Sequence, residues 1–368
     1  MMKKFFLLTL IAGFVFASCN MNKKADTFTI QVKVQGFDGK KVMLEKRVND
    51  DWVKLDSATI EKGAALIKGS MSSPEMLYLS LEDQKGYASF FAEAANITVD
   101  VDPINMKNAT ITGSPAQDRY TAYITGSEGF DDKLYEVYQQ YQEAEKNQDE
   151  AKMKEVEEQF KAVEKEKRDY MVNFIKTNTA DIVAHYILLR NTYDFELDEL
   201  ESLVNNFDQS VSSPYLKDLR NRVLVLQSVA IGQPYVDFKL AGATGDTIAL
   251  SQKVGTKLLL VDFWASWCKP CRHENPNVVA VYNDFKDKGF DVFAVSLDTD
   301  RDKWLEAIEA DHLTWTHVSD LAGWRCSAAK LYGVQSIPHN VLLDDKGVII
   351  AKNLREEALR EKVQSLLQ

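Results

Sequence analysis

Cys268 and Cys271 stand two residues apart in Trp267-Cys268-Lys269-Pro270-Cys271, directly after the apolar run Leu258-Leu259-Leu260-Val261-Asp262-Phe263-Trp264. Paired cysteines at this spacing, where a buried strand gives way to a helix, can open and close a disulfide repeatedly. The chemistry they predict is reversible dithiol exchange. A helix start supplies unpaired N–H groups and the positive end of the helix dipole, and both favour the attacking thiolate. Cys268, at the helix entrance, is the expected nucleophile; Cys271, one turn in, is the expected buried resolving thiol. Pro270 fits the first turn, where its missing N–H has no intrahelical partner. Trp267 gives the site an apolar shield. Lys269 favours the Cys268 thiolate and hence a more oxidising disulfide, whereas the acids Asp262 and Glu274, six residues to either side of Cys268, push the other way.

The rest of the composition narrows the chemistry. The chain has 368 residues, four cysteines and a net charge of −11. An acidic balance argues against nucleic acid as a partner. Four cysteines are too few for a disulfide-stapled scaffold, and with no second CxxC and no HxxxH no metal site is expected. His273 makes the pattern CxxCxH, which is not the CxxCH of covalent haem attachment. No cofactor beyond the Cys268-Cys271 pair is expected. Cys326, in Gly323-Trp324-Arg325-Cys326, reads as a small buried residue at a helix start, with a reactive third thiol as the alternative.

The chain opens Met1-Met2-Lys3-Lys4, runs apolar from Phe5 to Phe16 and continues Ala17-Ser18-Cys19. A basic start, a short apolar stretch and small residues describe a secretory signal over residues 1–18, too short for a membrane span. A cysteine at this point resembles the lipobox of bacterial lipoproteins. That resemblance implies cleavage before Cys19, lipidation of Cys19 and a membrane tether over residues 19–26; an ordinary signal peptide is the alternative. No aspartate follows Cys19 directly, which by the same analogy favours the outer membrane over the inner, facing the periplasm.

Three regions follow. Residues 27–113 alternate with period two in Phe28–Val34, Lys41–Glu45, Leu77–Leu81 and Ile97–Val101, and predict a domain of short antiparallel strands. Residues 114–230 turn long, charged and helical. A break is expected near Asn147-Gln148-Asp149, a core stripe at Tyr135, Tyr138 and Tyr141, and later helices at Glu196–Leu203 and Pro214–Val225. In residues 231–368, strands alternate with helices and end in the hairpin Val341–Ala351 and a final helix. The prediction is a mixed sheet with flanking helices, in a multidomain α+β chain.

The segment Val261 to Cys271 resembles the thioredoxin superfamily, and with Arg272-His273-Glu274-Asn275-Pro276 it resembles the TlpA/ResA branch of thiol-disulfide oxidoreductases. The likeness covers residues 232–368, and a β-rich domain of unknown function before a helical linker resembles some lipoproteins of that branch. It implies that Asp262 is a buried acid relaying the proton of Cys271, and that Glu274 tunes the cysteine pair. The alternatives are an Asp262 at a strand end hydrogen-bonded to backbone and a Glu274 on a solvent-exposed helix face. Val334-Gln335-Ser336-Ile337-Pro338 resembles the family loop whose cis proline faces the cysteines, leaving Trp267, Ile337 and Pro338 to meet substrate. His339 departs from the residues usual after that proline, and a surface position is expected for it.

The expected activity is reduction of protein disulfides in the cell envelope, with an upstream thiol as electron donor. Two other functions compete. A binding or assembly lipoprotein would use residues 27–230 to recognise a partner. A thiol peroxidase would need proline seven residues and threonine or serine three residues before its cysteine, where this chain has Val261 and Ala265.

Overall fold

The computed structural model describes residues 26–48 and 51–367. The signal segment 1–18, Cys19 and the tether up to residue 25 lie outside the described residues. Contacts divide the chain into two units, residues 1–136 and 137–368.

The first unit holds strands β1 (Thr27–Lys33), β2 (Lys41–Val48), β3 (Asp51–Thr59), β4 (Ala64–Ser70), β5 (Glu75–Leu81), β6 (Ala88–Ala92), β7 (Asn96–Asp100) and β8 (Thr110–Thr112). They form two four-stranded sheets, β4-β1-β7-β8 and β3-β2-β5-β6. Alternation does the work expected of it: Phe28, Ile30 and Val32 of β1 are buried with Leu44, Leu79 and Phe90. One pairing departs from the antiparallel expectation, because β1 runs parallel to β7 with Ile30 opposite Ile97. Strand β3 was not legible because it is an edge strand with almost no buried position, so its side chains carry no hydrophobic period.

Helix α1 (Pro115–Lys146) leads from the first unit into the second, and α2 (Glu150–Thr177) follows at the expected break. There the Asp149 carboxylate accepts a hydrogen bond from the Lys152 N–H at 3.0 Å and caps α2. The tyrosine stripe needs correction. Tyr135 and Tyr138 are 63% and 51% exposed, and the buried side chains of this stretch are Val137 and Ala144. Tyrosine tolerates an exposed face because its hydroxyl stays hydrated, so its helical spacing marks the core less reliably than that of aliphatic residues. Three helices complete the helical segment: α3 (Ile182–Arg190), α4 (Leu197–Asn206) and α5 (Pro214–Ser228). Ser213 accepts from the Leu216 N–H to cap α5. Helix α3 is apolar around most of its circumference and largely buried, so it has little amphipathic period to read.

The remaining elements are β9 (Lys239–Gly242), β10 (Thr247–Ala249), β11 (Leu258–Trp264), α6 (Lys269–Phe285), β12 (Phe290–Ser296), α7 (Arg301–Ala310), β13 (Thr316–Ser319), α8 (Ser327–Leu331), β14 (His339–Asp344), β15 (Ile349–Lys352) and α9 (Glu356–Leu367). Their strands make one mixed sheet in the order β10-β9-β13-β12-β11-β14-β15. Strand β11 lies within it, parallel to β12 and antiparallel to β14, and all seven of its residues are buried. A strand covered on both faces reads as an unbroken apolar run, and truncating such a side chain, as in Leu260→Ala, costs about 2–5 kcal/mol. Its pairing on both sides fixes where the cysteines emerge.

Candidate active site

Helix α6 starts directly after the end of β11, with Cys268 at its N-cap. Cys268 and Cys271 are joined in a disulfide, and the Cys271 N–H donates to Cys268 Sγ at 3.1 Å. This is the contact through which a helix start favours negative charge on the outer sulfur. Both cysteines are buried, Cys271 the more completely. Trp267 is 50% exposed, with its ring 6.1 Å from that of Trp324, itself 45% exposed.

The turn between strand and helix is held from behind. Asp298 accepts from the Ser266 N–H at 3.0 Å and from its hydroxyl at 2.5 Å. One turn into α6, Arg272 forms a forked pair with Asp311, which also accepts from Asn275 Nδ2 at 2.7 Å. A bidentate pair of this kind fixes orientation as well as charge. Neither clamp is visible in sequence, because its partners lie more than 30 residues apart.

Asp262 sits inside β11, buried, opposite Asn340 of β14. Burial raises its carboxyl pKa to about 7; Arg355 opposes the rise and Glu274 adds to it. Glu274 is buried too, not on an exposed helix face. Its carboxylate accepts from the Asn277 side chain at 2.8 Å and from the Glu356 N–H at 2.9 Å. Arg355, which the sequence did not single out, interacts with both acids, and burial pulls its own pKa down. The fold therefore brings Asp262 of β11, Glu274 of the cysteine helix and Arg355 within range of one another's charges.

Pro338 follows a cis Ile337-Pro338 bond and immediately precedes β14. Antiparallel pairing sets Phe263 opposite His339, so Pro338 and the residues after Trp264 meet at one end of the sheet. His339 is not the expected surface residue. It is half-buried, packs its ring 6.0 Å from that of Phe263, and burial together with Lys352, Arg355 and Arg222 lowers its pKa to about 3. Cys326 is fully buried at the start of α8, where burial pushes its thiol up to about 11. Cys19 lies outside the described residues. Among the described residues no group of three or more His, Cys, Asp or Glu is placed to hold a metal ion.

Comparison with known proteins adds names to parts of the chain. Residues 28–120 match a domain of unknown function (DUF4369), and residues 231–352 match the AhpC/TSA family. The chain is 36% identical over 122 residues to the thioredoxin-like protein YneN of Bacillus subtilis, spanning 32% of this chain and 68% of that one. It is 27% identical over 142 residues to the thiol-disulfide oxidoreductase ResA of Bacillus thuringiensis, spanning 39% and 79%. A solved thioredoxin domain of a thiol-disulfide oxidoreductase from Bacteroides vulgatus is 34% identical, covering 38% of this chain and 100% of that domain at a TM-score of 0.36.

Proposed function

Because the chain belongs to the TlpA/ResA-like thiol-disulfide oxidoreductases of the thioredoxin superfamily, with an N-terminal DUF4369 domain, we propose that it reduces protein disulfides in the bacterial cell envelope. The observation that carries this reading is Cys268 at the N-cap of α6, bonded to a Cys271 that lies deeper in the helix.

The reduced enzyme starts the cycle. The Cys268 thiolate attacks one sulfur of a substrate disulfide, forms a mixed disulfide and releases the other substrate sulfur as a thiolate. Cys271, deprotonated, then attacks Cys268 Sγ and expels the second substrate thiolate. Two electrons have moved to the substrate, and the enzyme is left with its Cys268-Cys271 disulfide. An upstream dithiol reverses these steps to restore the reduced pair. Asp262, with a pKa of about 7, takes the proton of Cys271 and returns it when the donor acts. Burial holds that acid high, and the charge of Glu274 adds to the rise. The backbone of Ile337 and the faces of Pro338 and Trp267 hold an extended stretch of substrate.

The envelope location rests on the sequence from Phe5 to Cys19, read as a signal followed by lipidation of Cys19, with the outer membrane favoured. The peroxidase reading lacks support at Val261 and Ala265. The binding reading draws on one observation, a cluster in the first unit in which the partly exposed Trp52, Tyr78 and Tyr87 rings stand 5.0–5.3 Å apart.

The deciding experiment replaces Cys271 with serine, so that mixed disulfides at Cys268 are not resolved, and identifies envelope proteins captured in cells. Capture well above a Cys268→Ser/Cys271→Ser control is expected. Equal capture by the two would move the function to binding.

A further inference from the structure

A cavity of about 460 Å³ opens between the helical segment and the loop that ends in Pro338, wholly within the second unit. Phe195 comes from the chain between α3 and α4, Arg222 from α5, Ser336 and His339 from either side of Ile337-Pro338, and Lys352 from β15. Two hydrogen bonds brace the loop against the helices: Thr192 Oγ1 to Gln335 Oε1 at 3.0 Å, and Arg222 Nη1 to the Gly333 carbonyl at 2.5 Å.

The polar groups inside this cavity are unfinished. Arg222 Nε and His339 Nε2 are buried without a hydrogen-bond partner among the described residues. Lys352 Nζ makes neither a hydrogen bond nor an ion pair among them, although burial already pulls its pKa down. Burial likewise lowers Arg222 to about 10. Unpaired buried donors are rare in folded proteins, and a buried cation is costly unless an anion joins it. The carboxylates that line the cavity, Glu196 and Asp198, are both exposed, and Glu196 acts on Lys352 only through its charge. The cations of the lining are therefore half-buried and its acids exposed, which favours one anionic group inserted beside the cations over a dispersed negative surface.

We infer that this cavity receives the side-chain carboxylate of an aspartate or glutamate in the substrate polypeptide, paired with Lys352 and Arg222. The inference rests on the reductase reading, since that reading lays an extended substrate along Ile337-Pro338, whose flanking residues Ser336 and His339 wall the cavity. Side chains of an extended chain alternate between two faces, so one of each neighbouring pair points toward the cavity. Substrates are then selected by an acid near their disulfide.

The test uses oxidised full-length protein and a set of extended peptides with serine for cysteine, so that binding is read without exchange chemistry. One glutamate is moved along the peptide, with glutamine at the same place as control. At one position glutamate binds about tenfold tighter than glutamine at low salt, the gain of a charge-assisted pair. Lys352→Gln brings that ratio close to one, and Lys352→Arg restores it. Arg222 also holds Gly333, so its substitution is not the primary variant. Equal affinity for glutamate and glutamine at every position, no binding by any peptide, or a ratio unmoved by Lys352→Gln overturns the inference. So does tight binding of inorganic phosphate with no preference among the peptides. Failure of the reductase reading appears separately, as loss of disulfide exchange with the glutamate preference intact.

Discussion

The Glu274 carboxylate accepts a hydrogen bond from the Glu356 N–H at 2.9 Å, so the helix that carries the cysteines is fastened to the first turn of the C-terminal helix. That side chain is buried rather than solvated, and it caps the start of α9. The same carboxylate raises the pKa of Asp262.

Removing that cap has two separable consequences. Glu274→Ala leaves the Glu356 N–H without its acceptor and destabilises the oxidised protein by about 1–2 kcal/mol in urea unfolding. Glu274→Gln keeps an amide oxygen in place and costs less, yet it removes the charge and shifts the Asp262 titration toward acid. NMR of the Asp262 carboxyl carbon reads the shift.

Asp262 also makes stability depend on pH. Its folded pKa, about 7, lies above the ordinary carboxyl value, so between that value and 7 the folded state holds a proton that the unfolded state has lost. Stability from this group is present at low pH and falls as pH rises toward 7. Asp262→Asn is therefore stabilising at pH 8, on the order of 2 kcal/mol, and nearly neutral at pH 4. Paired denaturation curves at the two pH values check the sign.

The proton relay proposed for Asp262 predicts a different trace. Wild-type disulfide exchange should show an inflection near pH 7, set by the raised pKa of Asp262. In Asp262→Asn the inflection is absent and the rate at pH 7 falls about 100-fold, the lower range for a general acid-base group. Rates of a model disulfide peptide against pH provide the measurement.

Thiol counting tests the assignment of Cys326. In a chain that starts at Asn20, oxidised and native, a thiol reagent at pH 8 should find no reactive group, because Cys326 is buried with its pKa near 11. Unfolding without reductant should release one thiol, and unfolding after reduction three.

Gly347 is held in a left-handed turn with φ at +77°, and a Cβ there would stand 2.5 Å from Tyr235 Cδ1. Gly347→Ala combines backbone strain with a clash against a ring, and thermal melting should drop by several degrees, the effect of about 1–2 kcal/mol.

Legibility in the sequence followed physical range. Strand β11 and helix α6 were readable because an apolar run, a proline in the first turn and paired cysteines are local signals. Hairpin β14–β15 announced itself through Asp345-Lys346-Gly347. Edge strand β3 and the short β13 carry too little pattern to be seen. The site was half visible: Cys268, Cys271 and Asp262 follow from one segment, whereas Arg355 joins Asp262 and Glu274 only through the fold. Lys352, Arg222 and His339 likewise come from three separate elements, and no spacing rule connects residues 222, 339 and 352. His339 was misplaced because its burial comes from Phe263 and the helical segment, neither of which is a sequence neighbour.

The central claim is that Cys268 attacks disulfides in a dithiol cycle, and reduction of insulin by dithiothreitol measures it most directly. Wild-type protein should accelerate precipitation of the insulin chains, and Cys268→Ser should reduce the rate to that of dithiothreitol alone. Equal rates for wild type, Cys268→Ser and the blank would contradict the account.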